Sequence, residues 1–163
     1  MNIIKELQEE LKSEYEITKK FLEHYPEDKN DWKPHNKSMP MNRLAVHLVE
    51  IFAWPQTIMD TDFLDFGATP YSPPQIKTKA GLQKKLEEDY KRGEETLRKL
   101  TPEKLDGSWD IRQGSMVFQS WSKYGAIRHS LNQITHHRAQ LGVYYRLNAI
   151  FVPKSYGPSA DER

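Results

Sequence analysis

No proline interrupts YGAIRHSLNQITHHRAQLGVYYRLNA, the run from Tyr124 to Ala149, and its side chains fall into two neighbouring helical stripes. Ile127, Leu131, Ile134, Arg138, Leu141 and Tyr145 make one stripe; Ala126, Ser130, Gln133, His137, Gln140 and Tyr144 make the next. Two adjacent stripes predict a helix buried over much of its circumference.

Three further helices follow from the same period. Leu82, Leu86, Tyr90, Gly93, Leu97 and Leu100 recur at heptad-like steps amid Lys and Glu, and Gly93 on that stripe permits close helix approach. Ser38 and Pro40 mark a helix start, after which Leu44, His47, Leu48, Ile51, Pro55 and Ile58 share an inner face. Pro55 lacks a backbone donor and predicts a kink near Trp54. Ile4, Leu7, Leu11, Tyr15, Thr18, Leu22 and Tyr25 line the first helix, which ends before Pro26. The expected helices span about 4–25, 41–59, 78–100 and 122–149.

The connections are long. Residues 60–77 pass through Gly67, Pro70, Pro73 and Pro74, a composition for an irregular crossover. Trp109 to Trp121 reads as a second irregular link, the alternation at Met116, Val117 and Phe118 being too short to define a strand. Pro153, Gly157 and Pro158 make 150–163 an extended C-terminal strap. The expected fold is all-α: one four-helix bundle domain over 1–163 with long crossover connections.

Composition narrows the function. At 163 residues the chain is close to the commonest domain size of roughly 100–150. Lys+Arg 24 against Asp+Glu 23 leaves a net charge of +1, too little field to hold a polyanion, so no nucleic-acid partner is expected. There is no cysteine, which removes disulfides, thiolate ligands and a cysteine nucleophile together. Charges arrive at Lys5 and Glu6 before any apolar run, so neither a signal peptide nor a membrane span is expected and the expected compartment is the cytoplasm.

The six histidines are unevenly spread. His129, His136 and His137 share the last helix, while His47 interrupts the inner face of the second. Side chains four apart on a helix point the same way and can converge on one ion with a ligand from a facing helix. The candidate metal site is therefore His47 plus one pair from His129, Gln133 and His137; His136 is rotated by about 100° from His137. Glu50, one turn after His47, is a candidate general base, a partner orienting a ligand, or a solvent-facing carboxylate.

The segment from His129 through Asn132-Gln133-Ile134-Thr135-His136-His137-Arg138-Ala139-Gln140-Leu141-Gly142-Val143-Tyr144 resembles the signature helix of the DinB family, the DinB/YfiT-like metalloenzymes. Leu44-Ala45-Val46-His47-Leu48 with Trp54 is similar to that family's second helix, and Val152 to Glu162 resembles the ending of one branch. The resemblance implies a bundle, frequently dimeric, in which three histidines hold a divalent metal such as zinc or nickel. His47 and His137 match two of them, and Gln133 stands where the third is expected.

A neutral amide there weakens affinity for such metals. Three arrangements follow: a metal with Gln133 or water in the third place, recruitment of His129 or Glu50, or an empty polar pocket. Arg138 and Gln140 match the family's H-R-x-Q pattern, Arg138 as a structural partner for a carboxylate or carbonyl and Gln140 as a hydrogen-bond partner near the site. The implied activity is transfer of a low-molecular-weight thiol to a small-molecule substrate, with metal-dependent hydrolysis on the same ligands as the alternative. A rival from another class is a metal-free bundle that binds a small molecule or only forms a homodimer.

Overall fold

The computed structural model describes residues 2–68 and 71–162; Met1, Thr69, Pro70 of the crossover and Arg163 at the end of the strap lie outside the described residues. Five α-helices and three strands follow in the order α1 (Ile3–Glu23), α2 (Met41–Glu50), α3 (Trp54–Asp60), β1 (Phe63–Asp65), α4 (Lys79–Arg98), β2 (Ser108–Gln113), β3 (Met116–Ser122) and α5 (Lys123–Leu147). The second expected helix is two. Pro55 has no N–H to continue the ladder, and a 3-10 step over Ile51–Ala53 joins α2 to α3 with Pro55 in the first turn of α3.

Side-chain caps set three of the helix starts. Asn2, Thr78 and Ser122 accept from the backbone N–H of Lys5, Gly81 and Gly125, satisfying donors that a first helical turn leaves open. α1 packs on α4 and α5, and the α2–α3 pair fills the other side of the bundle against the same two helices. The junction between α2 and α3 requires Gly93: a Cβ there would lie 2.2 Å from the Phe52 carbonyl oxygen.

The all-α expectation is corrected by a small mixed sheet of order β1-β2-β3, with β1 parallel and β3 antiparallel to β2. β1 and β2 are parallel because α4 forms the crossover between them. The link expected to be irregular is thus a hairpin, turning at Gly114 with φ 59. Trp109 ties β2 to the core, 1% exposed with its indole N–H donating to Thr61 Oγ1 at 3.0 Å. Asp65 pins the hairpin to β1, accepting from Gly67 N at 2.8 Å and Gly114 N at 3.0 Å.

After α5 the described chain has neither helix nor strand. Its end folds back on Asp161, which accepts from Val152 N at 2.9 Å and pairs with Arg146 at 2.9 Å. No helix among the described residues is long and apolar enough to cross a membrane.

Candidate functional site

α2 and α5 bring His47 and His137 together: their ring centroids are 4.6 Å apart, edge to face at 71°. His137 is buried and His47 half-buried, with Trp54 edge-on to the His47 ring at 6.4 Å. Burial pushes the His47 imidazole down to about 4, helped by His137 and by the charge of Arg43. His137 is lowered for the same first reason, against a hydrogen bond it donates to the Gln140 amide oxygen, which raises it. Both rings are therefore neutral at pH 7.

Gln140 also fixes the tautomer. Its amide oxygen lies 3.0 Å from His137 Nδ1. An amide oxygen only accepts, so Nδ1 carries the proton and Nε2 keeps its lone pair.

The remaining predicted residues are placed differently. Gln133 is half-buried one turn before His137, and its side chain makes no hydrogen bond among the described residues. His129 lies a further turn away with its ring stacked on Trp121 at 4.7 Å, and burial lowers its pKa. His136 is exposed on the outer side of α5, its ring 4.9 Å from that of His137. The Glu50 carboxylate accepts from the hydroxyl of Tyr71 in the crossover. Among the described residues no three His, Cys, Asp or Glu side chains gather as a metal-binding group.

A cavity of about 680 Å³ opens beside the histidine pair, between α2, α3, α4 and the sheet; His47 and Glu50 line it and His137 does not. Its walls include Trp54, Ile58 and Trp109, with Arg43 and Tyr71 towards the crossover. A larger cavity of about 830 Å³, lined by Gln56, Lys99 and Lys123 among others, holds none of the predicted site residues.

Asp89 and Tyr71 are among the wall residues that the sequence reading did not single out. Asp89, 1% exposed, sits on α4 between Lys85 at 2.5 Å and Arg92 at 3.3 Å. A signal existed: Asp89 continues the Leu82–Leu86 stripe, where a carboxylate needs buried partners, and Lys85 stands four residues before it. Tyr71 had none, since the crossover carries no period.

A family model described as DinB family matches residues 1–162. Among solved structures, the chain is similar to a DinB-like protein from Bacillus subtilis with TM-score 0.68 and 18% identity, covering 97% of this chain and 99% of that one. It is similar as well to a DinB-like protein from Bacillus cereus, with TM-score 0.71 and 18% identity over 92% of this chain and 95% of that one. No curated protein matches the chain.

Proposed function

The chain belongs to the DinB family, and on that premise we propose that His47 and His137, with the Gln133 amide oxygen as third donor, hold a divalent cation, zinc or nickel, beside the 680 Å³ cavity that His47 lines. The reaction in this reading is transfer of a low-molecular-weight thiol to a small molecule admitted through that cavity. The observation that carries it is the pairing of the two imidazoles at 4.6 Å.

The two imidazoles suit such an ion. Two imidazoles on one ion, with bonds of about 2.0–2.1 Å, leave their ring centres roughly 5 Å apart. Both rings are neutral, so no proton has to leave before a lone pair is offered. Gln140 accepts the hydrogen bond from His137 Nδ1–H, as outer partners of metal-binding histidines do. When bound, the cation would lower the pKa of a thiol or of water, so hydrolysis on the same residues is the alternative reaction.

The chain's own residues supply the rest. Glu50 spends one oxygen on Tyr71 and keeps the other to take a proton from an entering nucleophile. Trp54 shields the His47 ring on one side. We leave His129 out of the donor set because its ring is engaged with Trp121. The assembly in this reading is a homodimer, checked by sedimentation at micromolar concentration; a monomer there removes that part.

A second reading, a metal-free bundle that binds a small molecule, is favoured by one observation: no third imidazole or carboxylate joins the pair among the described residues. Calorimetric titration of the purified chain with zinc and nickel decides between them. The metal reading expects binding that His47→Ala and His137→Ala each abolish, and absence of binding to the wild type leaves the second reading.

A further inference from the structure

We propose that the cavity beside His47 takes a small organic anion with a flat apolar body, its carboxylate paired with Arg43. The inference rests on the reading of this cavity as the substrate site, and needs no metal.

The argument is an account of donors and acceptors on the wall. Asp89 is spent on Lys85 at 2.5 Å and Arg92 at 3.3 Å. Asp65 is spent on Gly67 N at 2.8 Å, Gly114 N at 3.0 Å and Arg112 Nε at 3.3 Å. Arg43 is different. Its one hydrogen bond among the described residues goes to the Tyr71 hydroxyl oxygen at 3.3 Å, and no described carboxylate pairs with it. A guanidinium carries five N–H donors in a fixed fork, so most of this one is unused.

Position makes that surplus useful. Arg43 stands four residues before His47 on α2, so both side chains lie on one helical face, and both line the cavity. The Tyr71 ring backs the guanidinium, 4.9 Å from Cζ to its centroid, and so holds the fork in place. Glu50 bonds the same Tyr71 hydroxyl and so offsets part of the charge, but it forms no ion pair with Arg43 and leaves the guanidinium's remaining N–H donors open. Its own spare oxygen suits an N–H or O–H of the ligand.

Shape supplies the apolar half. At about 680 Å³ the cavity falls within the usual range of roughly 300–1,000 Å³ for small-molecule sites. Trp54, only half-buried, gives it a flat face, which suits an aromatic or otherwise planar body.

The test uses the full chain in chelator, with 2-naphthoate, 2-naphthamide and 2-naphthylmethylammonium as probes followed by tryptophan fluorescence. The naphthoate should bind about tenfold more tightly than the amide, the value of a hydrogen bond to a charged group, and the ammonium should not bind. Arg43→Gln should erase the preference for naphthoate over the amide, and Arg43→Lys should restore part of it. An amide that binds as tightly as the carboxylate, or a preference untouched by Arg43→Gln, overturns the proposal. The wild-type comparison of three probes stands even if a variant fails to fold. Because no metal is present, loss of this preference with zinc binding intact sinks the anion site alone, and the reverse result sinks the metal reading alone.

Discussion

Arg138 of α5 and Glu14 of α1 form an ion pair inside the bundle, 2.5 Å from Nη1 to Oε2, with side chains 2% and 6% exposed. The same guanidinium donates to Thr18 Oγ1 at 3.1 Å and to the Tyr156 hydroxyl at 2.7 Å, and that hydroxyl donates to Glu14 Oε1 at 2.7 Å. One buried charge thus joins α1, α5 and the C-terminal strap, next in sequence to His137. Removing one member strands the other charge, so Arg138→Met should cost about 3–5 kcal/mol in urea unfolding. The double variant Glu14→Leu with Arg138→Met should recover most of that loss. Recovery of none of it would mean that the network stabilises through packing, not charge.

Gly93→Ala sets two effects against each other. Alanine gains about 1 kcal/mol of helix propensity, yet its Cβ would meet the Phe52 carbonyl oxygen at 2.2 Å. Backbone cannot yield as a side-chain tip does, so overpacking of about 1–3 kcal/mol should win and the melting temperature should fall. A rise would show that α4 shifts freely against the α2–α3 junction.

The helices were legible because each buries a stripe of period 3.6, as Leu82, Leu86 and Leu97 do on α4 and Leu131, Ile134 and Leu141 on α5. The sheet was not. β3 exposes Met116, Val117 and Phe118 in succession, so no alternation marks it, and the three residues of β1 find partners 47 positions away at Asp110 to Arg112. Of the candidate site, His47 stood out as a histidine on an apolar stripe and His137 by its i,i+4 spacing from Gln133 in the signature helix, and the structure brings their rings together. Tyr71 is a cavity residue only because the crossover folds back over α2, a contact that no local pattern encodes, whereas Arg43 shares the His47 face of α2 at i,i+4.

Asp65 should make the hairpin's attachment acid-sensitive. The N–H groups of Gly114 and Gly67, then Arg112, hold its carboxyl below the ordinary carboxylate range. A group depressed in the folded state contributes stability that is complete above its unfolded pKa of about 3.9 and disappears as pH falls through the folded value. The wild type should therefore lose more melting temperature than Asp65→Asn between pH 6 and pH 3. Parallel losses would assign the acid sensitivity elsewhere.

Ala149 closes α5 in the left-handed region, φ 56, where a side chain is strained. Ala149→Gly relieves that strain at some cost in unfolded-chain entropy, for a net gain of about 0.5 kcal/mol or more, roughly 1–3 °C in a domain of this size. Differential scanning calorimetry is the measurement, and a lower melting temperature would mean that the Cβ of Ala149 packs usefully.

Gln133→His supplies a third imidazole to the proposed site, on a helix whose spacing aims residue 133 along the direction of His137. Imidazole nitrogen suits zinc and nickel better than an amide oxygen, so the variant should bind either metal at least about tenfold more tightly, about 1.4 kcal/mol. The pH dependence carries the sign. His47 is held down to about 4, so protons compete little for it near neutrality. An introduced imidazole at the half-buried position 133 starts from an ordinary value of about 6.5 and must lose its proton to bind, so the gain should shrink below about pH 6. Calorimetry on wild type and variant at pH 7.5 and pH 5.5, conditions chosen to lie about one unit either side of that value, measures both effects. Unchanged affinity at the higher pH would place residue 133 outside the reach of the ion, and a wild-type site already as tight as the variant would assign the third donor to Glu50 or His129.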